Sequence, residues 1–396
     1  MDYYEEALAR HAKYRGKVEI ACKMPLHDRE DLSVAYTPGV AAPCRAIAAD
    51  PEQVYAYTAK GNTVAVVSDG SAVLGLGNIG AKAALPVMEG KAVLFKAFGG
   101  VDAFPICLDT QDSEQIIAAV KHIAPVFGGI NLEDICSPKC FEIERRLEQE
   151  LDIPVFHDDQ HGTAVIVAAA LLNALRLTKR RLEDTRIVLN GPGSAGTAVL
   201  RMLHQLGARQ LTACDEHGIL HKQRDYGAET HKLALCDITN LDGRRGELAD
   251  ALRGADVFIG VSVANALTPA MIRNMAAQPV VFAMANPTPE IGYRQALEAG
   301  AAVVGTGRSD NPNQINNVLA FPGIFRGALD ARARDINHAM KKAAAYAIAN
   351  LVSDEELRAD YILPDPFDKR VAAAVAEQVA QAARSSGVAG GGKCAK

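Results

Sequence analysis

His157, Asp158, Asp159 and His161 crowd into the stretch Ile153 to Thr163, which reads Ile-Pro-Val-Phe-His-Asp-Asp-Gln-His-Gly-Thr. Two adjacent carboxylates repel each other unless a divalent cation or a proton is shared between them. A plainer reading makes one Asp the N-cap of the next helix and leaves its neighbour in solvent. A second acidic pair, Glu133-Asp134, follows the apolar run Gly129-Ile130-Asn131-Leu132 and precedes another helical pattern. Two such pairs in one chain are what an oxygen-ligated divalent site would look like. Two groups could move protons. Lys91, in Glu89-Gly90-Lys91-Ala92-Val93-Leu94-Phe95-Lys96, reads as the start of an apolar strand. Partial desolvation there would lower its pKa, as a general base requires, whereas the ordinary alternative is a snorkelling lysine. Tyr36 lies just before Thr37-Pro38-Gly39, which reads as the mouth of a strand. A phenol there is either a packing residue or a proton donor.

A glycine pattern of the G-x-G-x-x-G type occurs twice, at Gly75 to Gly80 and at Gly191-Pro192-Gly193-Ser194-Ala195-Gly196. Only the second sits in the expected frame. A strand, Arg186 to Leu189, precedes it, a helix, Thr197 to Leu206, follows, and a further strand ends in Asp215, where a ribose-binding acid belongs. Gly191, Gly193, Ser194, Ala195 and Gly196 are therefore assigned to the dinucleotide phosphates. The first match runs into a helix interrupted at Pro86 and reads as a tight turn near substrate. A carboxylate at 215 would repel a 2′-phosphate and so favours NAD over NADP, with His217, Lys222 and Arg224 near enough to offset it. Asn286 and Asn317 each follow a strand C-terminus, where open α/β sheets bind ligands, though asparagine is also a common turn residue.

The elements that must carry these groups alternate along the chain. Strand patterns at Asn62 to Val67, Pro154 to Phe156, Asp256 to Ser262, Pro279 to Met284 and Ala301 to Val304 are interleaved with helical ones, the last being Asp335 to Asn350 and Phe367 to Arg384. This predicts an α/β protein with an N-terminal α/β substrate domain over 1–160 and a doubly wound Rossmann domain over 161–320. Helices over 321–385 should pack back on the first domain, and the glycine-rich tail 386–396 should be disordered. An amphipathic helix over Met1 to Val18 presents Tyr4, Leu8 and Tyr14 to a subunit contact or an internal one.

Composition narrows the class of protein. Hydrophobic residues at 49% and charged residues at 22% are those of a globular domain, and a net charge of −5 argues against nucleic acid. The apolar stretch Ala164 to Leu177 falls short of the ~20 residues a bilayer requires. An acidic, polar N-terminus carries no signal peptide pattern, and eight cysteines without a CxxC pair suit a reducing cytoplasm.

Taken together, Tyr36-Thr37-Pro38-Gly39-Val40-Ala41, Glu89-Gly90-Lys91, Gly129 to Asp134 and Phe156-His157-Asp158-Asp159-Gln160-His161-Gly162-Thr163 resemble the malic enzyme family, most closely its shorter bacterial branch. The resemblance runs from about Ala12 to beyond Asn350 with the motifs in family order. It implies oxidative decarboxylation of L-malate to pyruvate and CO₂ with NAD or NADP and Mg²⁺ or Mn²⁺, in a homodimer. It implies Tyr36 as general acid and Lys91 as general base, with Asp158 beside the base. Glu133, Asp134 and Asp159 would be the metal ligands, and Asn286 and Asn317 would touch substrate. The longer animal-type branch carries an arginine before its Leu-Gly-Leu-Gly turn to clamp a malate carboxylate; Ser71-Ala72-Val73 offers none here, so that clamp is unassigned. Two other functions fit the same fold. One is a malolactic reaction that releases lactate, and the other is an inactive NAD-binding regulator, against which the intact set of catalytic residues argues.

Overall fold

The computed structural model describes residues 3–73 and 75–390. A first sheet is built from β1 (Thr63–Ser68), β2 (Asp102–Cys107), β3 (Gly129–Leu132) and β4 (Val155–His157), in the order β2-β1-β3-β4. All its strands are parallel. β1, β3 and β4 are buried at every position, as expected of parallel strands covered on both faces. Register decides the chemistry. Leu132 pairs with His157, so the residues that follow, Glu133-Asp134 and Asp158-Asp159, emerge side by side at one edge of the sheet.

Two local expectations are corrected here. The segment around Lys91 is a helix, Gly80–Gly99, not a strand, and it runs through Pro86 without breaking. Its buried residues Ala84, Met88, Lys91, Ala92, Phe95 and Gly99 recur at helical spacing. The short apolar run Ala92 to Phe95 looks the same in either structure when taken alone. Tyr36 likewise caps a helix, Arg29–Ala35, whose N-terminus is capped by Asp28, and lies at no strand mouth.

The second sheet comprises β5 (Arg186–Asn190), β6 (Gln210–Asp215), β7 (Gly218–Ile219), β8 (Val257–Gly260), β9 (Val280–Ala283) and β10 (Val303–Thr306). Their order is β10-β9-β8-β5-β6-β7, with only β7 antiparallel. The chain winds outward in both directions from β5 and β8, so the crevice between them is the topological switch point where such sheets bind ligands.

Helix Asp158–Thr178 links the two sheets and packs against helices Ser194–Leu206 and His338–Asn350. At 21 residues it is long and apolar enough to cross a membrane, contrary to expectation, yet Ala164 to Leu171 are all buried inside the fold. The C-terminal helices Phe321–Asp330 and Arg370–Ser385 both contact helix Gly80–Gly99 of the first sheet's layer. Phe95 anchors the first of these, with its ring centroid 4.7 Å from Phe321 and 5.2 Å from Phe325. The tail is ordered further than expected. The Arg334 amide donates to Val388 and the Gly390 amide to Ala331, while 391–396 lie outside the described residues.

The N-terminal arm is of another character. Helices Tyr3–Tyr14, Arg29–Ala35 and Ala41–Ala49 contain no buried residue, and Tyr3, Leu8, Ile20, Met24, Val34 and Tyr36 are all exposed.

Candidate active site

Lys91 reaches from helix Gly80–Gly99 into the acids at the ends of β3 and β4. Its Nζ lies 2.9 Å from Glu133 Oε1 and also contacts Asp158 Oδ2, and all three side chains are buried. Beneath it, 4.0 Å away, is the ring of Phe321. Asn317, at the end of the second sheet's loops, donates to Asp158 Oδ2 at 2.6 Å. Gly162 is required one turn beyond Asp158, because a Cβ there would overlap Asp158 Oδ1.

The charge state of Lys91 differs from the sequence expectation. Burial alone would lower its pKa, but Asp158 and Glu133 outweigh burial and hold the ammonium above the usual lysine value. Burial pushes Asp158 up to about 8 against the pull of Lys91, with Glu133 adding to the rise.

Glu133, Asp134 and Asp159 bring one oxygen each to within 4.8 Å of one another. Asp159 Oδ2 accepts from the Asp134 amide at 2.8 Å, and Asn131 donates to Glu133 Oε2 at 2.8 Å. Asp134 Oδ2 is buried with no partner. Burial, then Asp159 and Glu133, push Asp134 up to about 9. Carboxylates crowded in this way, one with an orphaned oxygen, fit a hard divalent cation such as Mg²⁺ or Mn²⁺.

The glycine loop fits a dinucleotide. Gly191 has a φ of +99°, and a Cβ on it would press on the Val261 carbonyl across the switch point. Helix Ser194–Leu206 opens at Gly193 with no side-chain cap, which leaves its first amides free for a pyrophosphate. Asp215 is not the open ribose acceptor expected. Its Oδ1 accepts from the His217 amide at 3.0 Å and from Arg224 Nη1 at 2.8 Å, and its Oδ2 takes Arg224 Nη2 and Lys232 Nζ. A carboxylate has about four acceptor sites, and all are taken by the chain itself. Lys222 turns away to Asp237.

Two expected residues are not joined to this cluster. Tyr36 is 67% exposed, and no described hydrogen bond, ion pair or ring contact links it to Lys91. Asn286 is half-buried after β9 and bonds its own loop through Met284 O. Three contributors escaped sequence reading. Asn131 orients Glu133, and Lys232 completes the Asp215 cluster. Glu144 accepts from the His157 amide at 2.7 Å and from Gln160 at 3.0 Å, and so holds the first turn of helix Asp158–Thr178. Its signal was present: it shares the apolar face of Cys140, Ile143 and Leu147, where an acid is out of place unless paired.

Comparison with known proteins agrees with this architecture. Residues 15–148 match the family model for the malic enzyme N-terminal domain, and 160–384 match that for the malic enzyme NAD binding domain. The chain is 58% identical to a bifunctional malic/malolactic enzyme of Bacillus subtilis, over 98% of this chain and 95% of that one. It is 57% identical to an NAD-dependent malic enzyme of Geobacillus stearothermophilus, covering 94% of this chain and 78% of the relative. An NADP-dependent malic enzyme of Rhizobium meliloti is 50% identical over 97% of this chain, which spans 52% of that longer protein. The crystal structure of a malic enzyme from Pyrococcus horikoshii superposes with a TM-score of 0.94 at 50% identity, over 98% of this chain and 92% of that one.

Proposed function

The chain belongs to the malic enzyme family, and we propose that it oxidises L-malate with NAD or NADP and releases CO₂ to leave pyruvate. One Mg²⁺ or Mn²⁺ would be held by Glu133, Asp134 and Asp159. The observation that carries this reading is Lys91 set between Glu133 and Asp158, beside the acid trio, with Asn317 of the second domain bonded to Asp158.

The residues divide the work. A bound divalent cation would act as a Lewis acid on the substrate oxygens. Glu133 would help hold that cation as well as bonding Lys91. Once Lys91 has passed its own proton to Asp158 Oδ2, which it contacts, its freed Nζ lone pair would take the C2 hydroxyl proton, a bound nicotinamide supplying the acceptor for the hydride of C2. Asp158 Oδ2, in contact with that nitrogen, is placed to receive the proton, and its Oδ1 has no partner to block onward transfer. After CO₂ departs, C3 needs a proton, which Tyr36 supplies from its phenol.

Tyr36 must first be brought to the site. We read the exposed N-terminal arm as the surface on which a second copy docks, so that Tyr36 completes its partner's site in a homodimer. Support comes from three helices that have no buried residue, in an arm where Tyr3, Leu8, Ile20, Met24, Leu32 and Val34 are all exposed. A cytoplasmic setting agrees with the seven described cysteines, all free.

The test is an assay of malate and Mn²⁺ with NAD and NADP in parallel, following reduced nicotinamide, pyruvate and lactate. Reduced nicotinamide in step with pyruvate supports the reading. Lactate without net reduction would favour the malolactic alternative, which the name of the Bacillus subtilis relative brings forward. Turnover unaffected by chelator would overturn the metal assignment.

A further inference from the structure

A cavity of about 220 Å³ is lined by residues of helices Asp158–Thr178, Ser194–Leu206 and His338–Asn350, and none of its lining residues belongs to Lys91's cluster. Its apolar wall is Ala164, Val165, Ala198 and Met202, and its polar wall is Gln160, His161, Arg201, Gln205, His338 and Lys341. The polar wall is basic. Among the described residues, no carboxylate comes within 4.0 Å of the basic nitrogens of Arg201, His338 or Lys341, whereas cations elsewhere, such as Arg224 and Lys232, are ion-paired. Lys341 Nζ lies 5.7 Å from the ring centroid of Phe156 and within the field of Glu144 and Glu148, without an ion-pair contact to either. Two unpaired cations converging on one cavity form an anion site. At this volume the cavity is below the roughly 300–1,000 Å³ of drug-sized pockets, so its ligand is compact.

The cavity's wall connects to the catalytic cluster. Gln160 and His161 both bond Glu144, His161 at 3.0 Å. Glu144 also holds the His157 amide, and the next residues are Asp158 and Asp159. His161 Nε2 lies 3.0 Å from Glu144 Oε1, and Lys341 adds its positive field to the hold on that buried carboxyl group. An anion over Lys341 would weaken that hold and loosen the turn from which Asp159 projects.

We propose that this cavity is an effector site for a compact dianion, a tetrahedral oxyanion or a short dicarboxylate, read by Arg201 and Lys341 and linked through His161 and Glu144 to the metal-binding end of helix Asp158–Thr178. The link rests on the assignment of Asp159 as a metal ligand; the anion site itself does not.

The experiment titrates sulfate and, separately, succinate into the protein at constant ionic strength by calorimetry, then repeats with Lys341→Gln and Arg201→Ala. Neither side chain has an ion-pair partner to lose, so both variants should fold. The expected result is tenfold or greater weakening of one of the two anions in each variant, and the arm that weakens identifies the ligand class. Mn²⁺ is titrated with and without that anion. Its affinity should shift threefold or more, and by linkage the anion's affinity should shift by the same factor with Mn²⁺ present. Anion binding that both variants leave intact overturns the site. Binding lost in the variants without any shift in Mn²⁺ affinity overturns the effector role. If Mn²⁺ binds equally well to Asp159→Ala, the metal assignment has failed instead, which the anion titrations alone would not show.

Discussion

Asn317 donates to Asp158 across 2.6 Å, although 159 residues separate them in the chain. The bond ties the loops after the dinucleotide sheet to the acid that also contacts Lys91, so the substrate and cofactor domains meet at one carboxylate. Replacing Asp158 with Asn should keep the shape and both neighbours while removing the charge opposite Lys91. Turnover should fall by roughly 10²-fold or more, the usual range for acid–base catalysis, with cofactor affinity unchanged by calorimetry. Lys91→Ala should behave alike, and activity within about tenfold of wild type would exclude the proton-transfer role.

The acid trio makes a separate prediction. Mn²⁺ titrated into the protein should bind at one site, and Asp159→Ala should weaken it by tenfold or more, because one of three charged oxygens is lost. Unchanged affinity would place the metal elsewhere.

Tyr36 can be tested by mixing subunits. Tyr36→Phe and Lys91→Ala chains should each be nearly inactive alone. Unfolded and refolded together, they should recover about a quarter of wild-type activity, the statistical share of intact sites in a two-fold dimer whose sites are completed across the interface. No recovery from a mixture shown to contain hybrid dimers would put Tyr36 and Lys91 in one subunit.

With Asp215 neutralised by Arg224 and Lys232, a 2′-phosphate meets cations as well as an acid. The preference for NAD expected from Asp215 alone should therefore be weak. Arg224→Ala should lower kcat/KM for NADP by tenfold or more and leave NAD within about threefold, since a phosphate–arginine contact is a strong charge-assisted pair. An unmoved ratio would show that Arg224 serves only to hold Asp215.

Glu144 predicts acid sensitivity. Burial would raise its carboxyl, but His161 and its neighbours depress it to about 2 in the folded chain. A depressed acid contributes stability that is complete above its unfolded pKa of about 4.5 and is lost as pH falls towards the folded value. Denaturant unfolding of wild type should weaken between about pH 4.5 and 2, and Glu144→Gln should flatten that dependence. An identical pH profile in the variant would refute the role.

The types and order of the reacting groups were legible in the sequence. The paired acids at 133–134 and 158–159, the glycine loop at 191–196 and the strand before each depend on local pattern, and the structure keeps them where the pattern put them. What only the tertiary structure decided is how those groups meet. The pairing of Leu132 with His157 sets the two acidic pairs side by side, and no property of either segment alone contains that register. Lys91 gains its partners Asp158 and Glu133 from 67 and 42 residues away, and they oppose the effect of its burial. Asp215 loses its free oxygens to Arg224 and Lys232 only because the loop after β7 and the helix Thr230–Leu235 fold over it. Residue identity and spacing set what chemistry a side chain can offer. Its charge state and its partners follow from burial and from the field of neighbours remote in sequence, and these exist only once the chain has folded.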